Sequence, residues 1–468
     1  MLLNFLIKPF WLFGIDRTVQ NIVNAEDYGT YFALFNFSVL FNIVLDLGIT
    51  NFNNRNISQN KHLLTKYFSG IVVFKLLLAL VYLAITFVAG YVVGYESDRF
   101  YMLLFLSINQ FLISFIQYLR SNIAGLQLFA LNSLLSVLDK SLIILFCAVL
   151  LWGNIFDLTF ELMHFVYAQT VGYAVTSIIV FGIVLSKTQQ FKIKMNKAFS
   201  LLILKQTYPY AVLVLAMTFY YRIDAVMLDY MLEDGEAQAA IYAKGYRLMD
   251  AATQIGVLFA TLLLPMFANM IQNNKKVVDL VRLSFSLIFV PSIILAVGCY
   301  FFSNEITALL YKGSTDAAQV LGLLMFCFVA IATTYIFGTL LTANGSLKTL
   351  NQLAIGGMVL NVVLNIILIP TFKAEGSALA SLITQLIVVV VQILVVKKVF
   401  NFSVNYKFIG MIMLFVLLVL GLVKGVQNYI LSFPIQFMVF VFVSGVLALV
   451  LRIINLKKMV QLFMNKEL

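Results

Sequence analysis

Arg222 and Asp224 sit inside one apolar run, from Tyr208 to Met231, where a bilayer tolerates neither charge without compensation. A charge at the centre of a membrane helix costs about 2.5–3.5 kcal/mol on insertion scales, so such residues face a partner or a wet pathway rather than lipid. A guanidinium can grip a phosphate through two parallel hydrogen bonds, and a carboxylate can balance that charge or carry a proton. The next apolar run adds Lys244, Arg247 and Asp250; earlier runs hold Lys8, Asp16, Arg17, Asp46, Lys75, Asp139 and Lys140. Cations in a cavity suit a phosphate-bearing ligand. Lys8, Asp46 and Lys140 lie near span ends, where snorkelling explains them equally well, whereas Lys75 lies well inside its run.

These side chains need long apolar helices to position them. Hydrophobic residues make up 62% of the 468 positions and the mean hydropathy is +1.00. Runs of about 20 apolar residues recur throughout, the length that crosses a bilayer. The chain is therefore expected to be an all-α polytopic membrane protein of about fourteen spans. They are placed near 2–22, 28–50, 67–94, 100–120, 133–152, 161–185, 206–231, 241–268, 283–302, 319–342, 350–370, 377–396, 408–424 and 433–453. The start, MLLNFLIKPFWLFGIDR, lacks a small-residue cleavage site and reads as a first span rather than a signal peptide. Its near-absent cytosolic flank leaves open whether Met1 is the true start.

Alternate connections are basic, among them Lys61 and Lys66, Lys187 to Lys205, Lys275 and Lys276, Lys397 and Lys398, and Lys457 and Lys458. The opposite ones are acidic, at Glu26 and Asp27, Glu96 and Asp98, Asp157 and Glu161, and Glu233 to Glu236. This bias and the even span count both put the two termini in the cytosol. It also explains the net charge of +11 by topology, so no nucleic-acid partner is expected. Cys147, Cys299 and Cys327 have no paired spacing and the only histidines are His62 and His164, so neither a disulfide framework nor a metal site is expected. His164 reads as titratable or as an interfacial residue, and Gly90 with Gly94 as a close helix contact. No connection exceeds roughly 20 residues, which leaves no soluble domain for covalent chemistry. A membrane polymerase or transferase is thereby disfavoured, and the chain is not expected to be an enzyme.

An internal repeat adds order. Gly14, Ile15 and Asp16 lead through Glu26, Asp27 and Tyr28 to Tyr31; Arg222, Ile223 and Asp224 lead through Glu233, Asp234 and Glu236 to Tyr242. Six spans separate the copies, which implies a parallel repeat: a six-helix lobe over 1–190, a second over 200–398, and two additional spans over 408–453. Counting down from the turn at 1.5 Å per residue, Arg222 and Asp250 lie about 13 Å deep, and Asp224 and Arg247 about 10 Å. Two crossed ion pairs, Arg222 with Asp250 and Arg247 with Asp224, are expected either to set helix register or to open on an anion. Arg247, Asp250, Gln254 and Thr261 form a polar strip down one face of the eighth span. Ser107, Gln110, Ser114, Gln117 and Ser121 do the same in the fourth, lining a wet cavity or hydrogen-bonding packed helices.

Three stretches together resemble the polysaccharide exporter and O-antigen (lipid-linked oligosaccharide) flippase family of the multidrug/oligosaccharidyl-lipid/polysaccharide (MOP) exporter superfamily. They are Glu26-Asp27-Tyr28-Gly29-Thr30-Tyr31 with Asp46-Leu47-Gly48-Ile49; Ile223 to Leu228 with Ile241-Tyr242-Ala243-Lys244 and Tyr246-Arg247-Leu248; and LTANGSLK from Leu341 with Gly356, Gly357, Asn361, Asn365, Ile369 and Pro370. The resemblance implies two helical lobes around a cavity that opens alternately to each side of the bacterial inner membrane. It further implies translocation of a polyprenyl-pyrophosphate-linked glycan for surface polysaccharide, without covalent chemistry. Arg222, Arg247, Lys75, Lys244 and Arg17 would hold the pyrophosphate, and Asp224, Asp250 and Asp16 would balance charge or carry H⁺ or Na⁺, with no other cofactor. A monomer is expected. First-lobe arginines of peptidoglycan-precursor flippases have no counterpart here beyond Arg17, which counts against that substrate. The alternative is a cation-coupled multidrug or metabolite antiporter of the same superfamily.

Overall fold

The computed structural model describes residues 7, 9–153, 159–188, 197–403, 405–429 and 432–454, the side chains of 55, 197–207, 209 and 429 excepted. Among them the regular structure is helical. A π-helical turn, Trp11–Asp16, runs into α1 (Arg17–Ile22); α2 (Ala25–Leu40), α3 (Ile49–Gln59), α4 (Leu63–Val93), α5 (Ser97–Gly125), α6 (Phe129–Trp152) and α7 (Leu162–Leu185) follow. Then come α8 (Lys197–Met231), α9 (Gly235–Gln272), α10 (Val278–Phe301), α11 (Ser303–Leu310), α12 (Ala318–Ala343), α13 (Leu347–Phe400), α14 (Tyr406–Tyr429) and α15 (Phe433–Val450). Eleven described helices are long and apolar enough to cross a membrane, or twelve when a bent pair counts as one span. The 54-residue α13 is two expected spans fused: it breaks at Lys373, whose φ of 50° and ψ of −130° are not helical. With those two limbs and the N-terminal helix, the architecture agrees with the fourteen-span reading.

The second expected span is not one helix. It stops at Leu40, passes through a 3₁₀ turn at Asn42–Leu45, and restarts at Ile49, bent by 50°. Leu47 at φ 45° and Gly48 at φ 80° make the break, a left-handed pair that interrupts the hydrogen-bond ladder. A break at membrane depth frees backbone carbonyls that need other donors. Of Gly90 and Gly94, expected to permit a close helix contact, Gly90 lies against Phe100 and Leu103 of α5, whereas Gly94 ends α4 at φ 89°, with its amide bonded to the Gly90 and Tyr91 carbonyls.

Packing divides the chain into two units, Met1–Ala240 and Ile241–Leu468. In the first, α2 lies on α8, α5 on α7 and α3, and α6 on α7. Phe68, Ile71, Tyr118, Leu119, Ile123 and Val180 close one core there. In the second, α12 is the central helix, buried along most of its length between α10 and α13, while α14 and α15 lie largely exposed at the edge. Leu76, Leu80, Val81 and Val88 on α4 and Met413, Leu417 and Phe442 on α14 and α15 are exposed apolar residues, as a lipid-facing surface requires.

Candidate functional site: the intramembrane charges

The break between α2 and α3 explains Lys75. Its ammonium donates to Asp46 Oδ1 at 2.7 Å, to the freed Leu45 carbonyl at 2.9 Å and to Ser114 Oγ at 2.9 Å. The side chain is 1% exposed and lies 5.9 Å from the centre of the Tyr118 ring. All three ammonium protons are engaged, and the carboxylate neutralises the charge. A phosphate reaching Lys75 would therefore have to displace Asp46.

Asp16 is equally buried, at 1%. The π-helical turn carries it inward, where it accepts Tyr28 Oη at 3.0 and 3.1 Å and Gln20 Nε2 at 3.0 Å. Its repeat partner Asp224, on the regular helix α8, is also 1% exposed. Arg17 follows Asp16 on α1 and is half-buried. Lys140 donates to Tyr173 Oη at 2.8 Å and stacks over Trp11, 4.9 Å from its ring centre; this anchors the cation among aromatics. Lys8 lies outside the described residues.

Arg222 is half-buried on α8 and donates Nη1 to Asn36 Oδ1 of α2 at the long distance of 3.4 Å. Asn36 is itself held by the Phe32 carbonyl at 2.7 Å. The polar strip of α5 is divided rather than continuous. Ser107, Gln110, Ser114 and Ser121 are buried, but Gln117 is exposed. Ser114 serves Lys75, and Ser121 accepts Asn53 Nδ2 of α3 at 2.8 Å, so those two bond packed helices.

In the second unit, Lys244 is taken by the turn after α11. It donates to Asp316 Oδ2 at 2.6 Å and Oδ1 at 2.8 Å, and to Ser314 Oγ at 3.3 Å. Burial alone pushes the Asp316 carboxyl up, but hydrogen bonds from Lys244 and Ser314 and the Lys244 charge outweigh it, holding the group below the usual carboxylate range. Arg247, Asp250 and Gln254 are half-buried on α9, and Thr261 is exposed. The crossed-pair expectation thus joins residues of different units: Arg222 and Asp224 belong to the first, Arg247 and Asp250 to the second.

Two groupings escaped sequence reasoning. Arg99 on α5 binds Asp229 on α8 and Glu236 on α9. On α13, Asn365 donates to the Asn361 carbonyl at 3.0 Å and accepts Ser377 Oγ at 2.8 Å across the kink, all three side chains fully buried. Asn361 and Asn365 were visible as an i, i+4 pair, but their partner is set by the fold. His164 resolves as a cap: its Nδ1 accepts the Glu161 amide at 3.0 Å at the start of α7.

Residues 17–272 match the family described as Polysaccharide biosynthesis protein. The chain belongs to that family. The likeness of this family member to solved structures extends over nearly its whole length. Its fold is similar to that of "Lipid II flippase MurJ, inward closed conformation", with a TM-score of 0.72 and 16% identity, covering 96% of this chain and 97% of that one. An inward-facing multidrug resistance MATE family transporter of the MOP superfamily follows, with a TM-score of 0.64 and 15% identity over 83% of this chain and 94% of that one. A MOP superfamily transporter from Pyrococcus furiosus has a TM-score of 0.54 and 14% identity over 86% and 92%. Curated proteins yield no sequence match. These likenesses show the fold, that of MOP-superfamily transporters.

Proposed function

We propose that this family member is a flippase that moves polyprenyl-pyrophosphate-linked oligosaccharide units across the bacterial inner membrane by alternating access, acting as a monomer with both termini in the cytosol. The observation that carries the reading is the family match over 17–272. The full-length likeness to a lipid II flippase supports a lipid-linked substrate, and the absence of any long connection in the sequence supports transport over group transfer.

Arg222 and Arg247, with Arg17, hold the pyrophosphate; Lys75 and Lys244 join them only by exchanging the carboxylates of Asp46 and Asp316. Asp16, Asp224 and Asp250 balance charge or carry H⁺ or Na⁺. Gln254 and Thr261 with Ser107, Gln110 and Gln117 offer neutral hydrogen bonds toward sugar hydroxyls. An anion held by Arg222 and Arg247 shifts Asp224 and Asp250 toward their cation-bound forms, which couples the two fluxes reciprocally. Arg222→Ala and Arg247→Ala are expected to abolish surface polysaccharide at unchanged membrane levels of the protein. Normal polysaccharide in both variants overturns the assignment.

The fold likeness to MATE transporters favours a second reading, a cation-coupled multidrug or metabolite antiporter. Deleting the gene separates the two: a flippase loses polysaccharide with drug sensitivity unchanged, and an antiporter does the reverse.

A further inference from the structure

The turn joining α8 to α9 carries charges that the phosphate-holding reading does not use. Arg99, in the first turn of α5, sends Nη1 to Asp229 Oδ2 at 2.6 Å and Nη2 to Asp229 Oδ1 at 3.2 Å; Nη2 also reaches Glu236 Oε1 at 2.7 Å. The Asp229 side chain is 1% exposed and that of Glu236 41%, so the cluster bridges from the packed interior to the surface. The guanidinium also lies over Tyr95, 5.5 Å from the ring centre, and Tyr95 meets Phe37 of α2 edge-on at 5.2 Å. Beside this cluster α2 closes directly on α9. A Cβ added at Gly29 would fall 1.8 Å from the Glu236 carbonyl oxygen and 3.1 Å from the Ala240 amide nitrogen, so only a glycine permits the approach.

We propose that Arg99, Asp229 and Glu236 form an outer latch, which holds α5 and α2 against the α8–α9 turn while the cavity faces the cytosol and parts before the glycan can leave outward. The inference rests on the alternating-access reading and on its lobes, 1–190 with α2 and α5 and 200–398 with α8 and α9. That division is other than that of the packing units, the first of which holds all three residues. In the alternating-access reading the acidic turn between α8 and α9 lies outside. A forked guanidinium–carboxylate bond with one partner buried suits a contact of this kind. It is strong and directional while closed, and its separation leaves Asp229 without its cation until the mouth is wet. The glycine contact supplies the complementary steric half, since two backbones that touch without side chains between them can separate without repacking a core. A purely structural clamp predicts something different: its loss would lower stability without changing which surfaces meet the outside.

The test uses the full-length chain in membranes, with Cys147, Cys299 and Cys327 replaced by Ser and a reporter thiol introduced by Ala240→Cys, a small change at a position shielded by α2. A membrane-impermeant maleimide applied from outside reads the latch. Labelling is expected to be slow in this parent, to rise several-fold with Arg99→Ala or Asp229→Asn, and to fall back when Arg99→Asp and Asp229→Arg are combined. Arg99→Lys, which keeps the charge but loses the fork, is expected to be intermediate and serves if the harsher variants fail to accumulate. Equal labelling of parent and Arg99→Ala, Asp229→Asn or Arg99→Lys at equal membrane levels overturns the latch. No glycan is needed for this measurement, so its failure is separate from failure of the flippase reading, which the polysaccharide phenotype of Arg222→Ala decides.

Discussion

Lys75 and Arg222 are both cations within apolar helices, yet their environments assign them different work. Lys75 is saturated by one carboxylate, one carbonyl and one hydroxyl, so it stabilises the broken second span. Removing Lys75 strands the Leu45 carbonyl and the part-exposed Asp46 carboxylate, which costs about 1–3 kcal/mol. Lys75→Met is therefore expected to lower the melting temperature in detergent and the membrane level together, and any loss of polysaccharide should track the loss of protein. Arg222→Ala is expected to lose function at normal protein level, because Arg222 is half-buried rather than enclosed in the packed interior. Gly29→Ala should differ from Lys75→Met: its methyl group has no room against the Glu236 carbonyl, so it is expected to hold the α2–α9 contact apart and speed labelling of the Ala240→Cys reporter at unchanged membrane levels of the protein. That Arg222 was anomalous was legible from residue type and position alone. That Lys75 had a partner was not, since Asp46 lies 29 residues away and meets it only where the helix breaks.

Elements show the same division. The apolar runs predicted the helices well, but the second span reads as uninterrupted in hydropathy and is broken by backbone conformation at Leu47 and Gly48. The kink at Lys373 likewise turns one hydrophobic tract into two limbs, tied together by Asn365 and Ser377. At the turn between α11 and α12, the depressed carboxyl of Asp316 carries a pH dependence whose sign is fixed. Its folded form holds protons less readily than the unfolded chain, whose aspartates titrate near pH 3.9. Stabilisation by the Lys244 pair is thus complete above that value and lost as pH falls through the lower folded value. Because Asp316 is partly in solvent, the effect is about 0.5–1 kcal/mol. Asp316→Asn is expected to melt slightly below wild type at pH 7, with the gap closing under acid below pH 4; a gap independent of pH would contradict the pairing.

At the scale of the whole molecule, the alternation of basic and acidic connections is a testable statement about topology. A fluorescent protein fused after Leu468 is expected to fluoresce and an alkaline phosphatase fused there to be inactive. A cysteine replacing exposed Lys312 should react with an impermeant maleimide from outside, and the opposite pattern would invert the topology. The proposed role of the Arg99 cluster rests on the same expected orientation, in which the α8–α9 turn lies outside.

The sequence by itself determined the membrane class, the order of the spans and the presence of intramembrane charge, since each is a local quantity: the length of an apolar run against the thickness of a bilayer, and a charge within it. It also showed the repeat that links Asp16 to Asp224. Only the tertiary structure decided which charges meet. Arg99 finds Asp229 and Glu236 across 130 and 137 positions, because helix bends and glycine contacts set how closely distant spans approach. Such pairings depend on a few ångströms of interhelical distance, and no local pattern of residues encodes them.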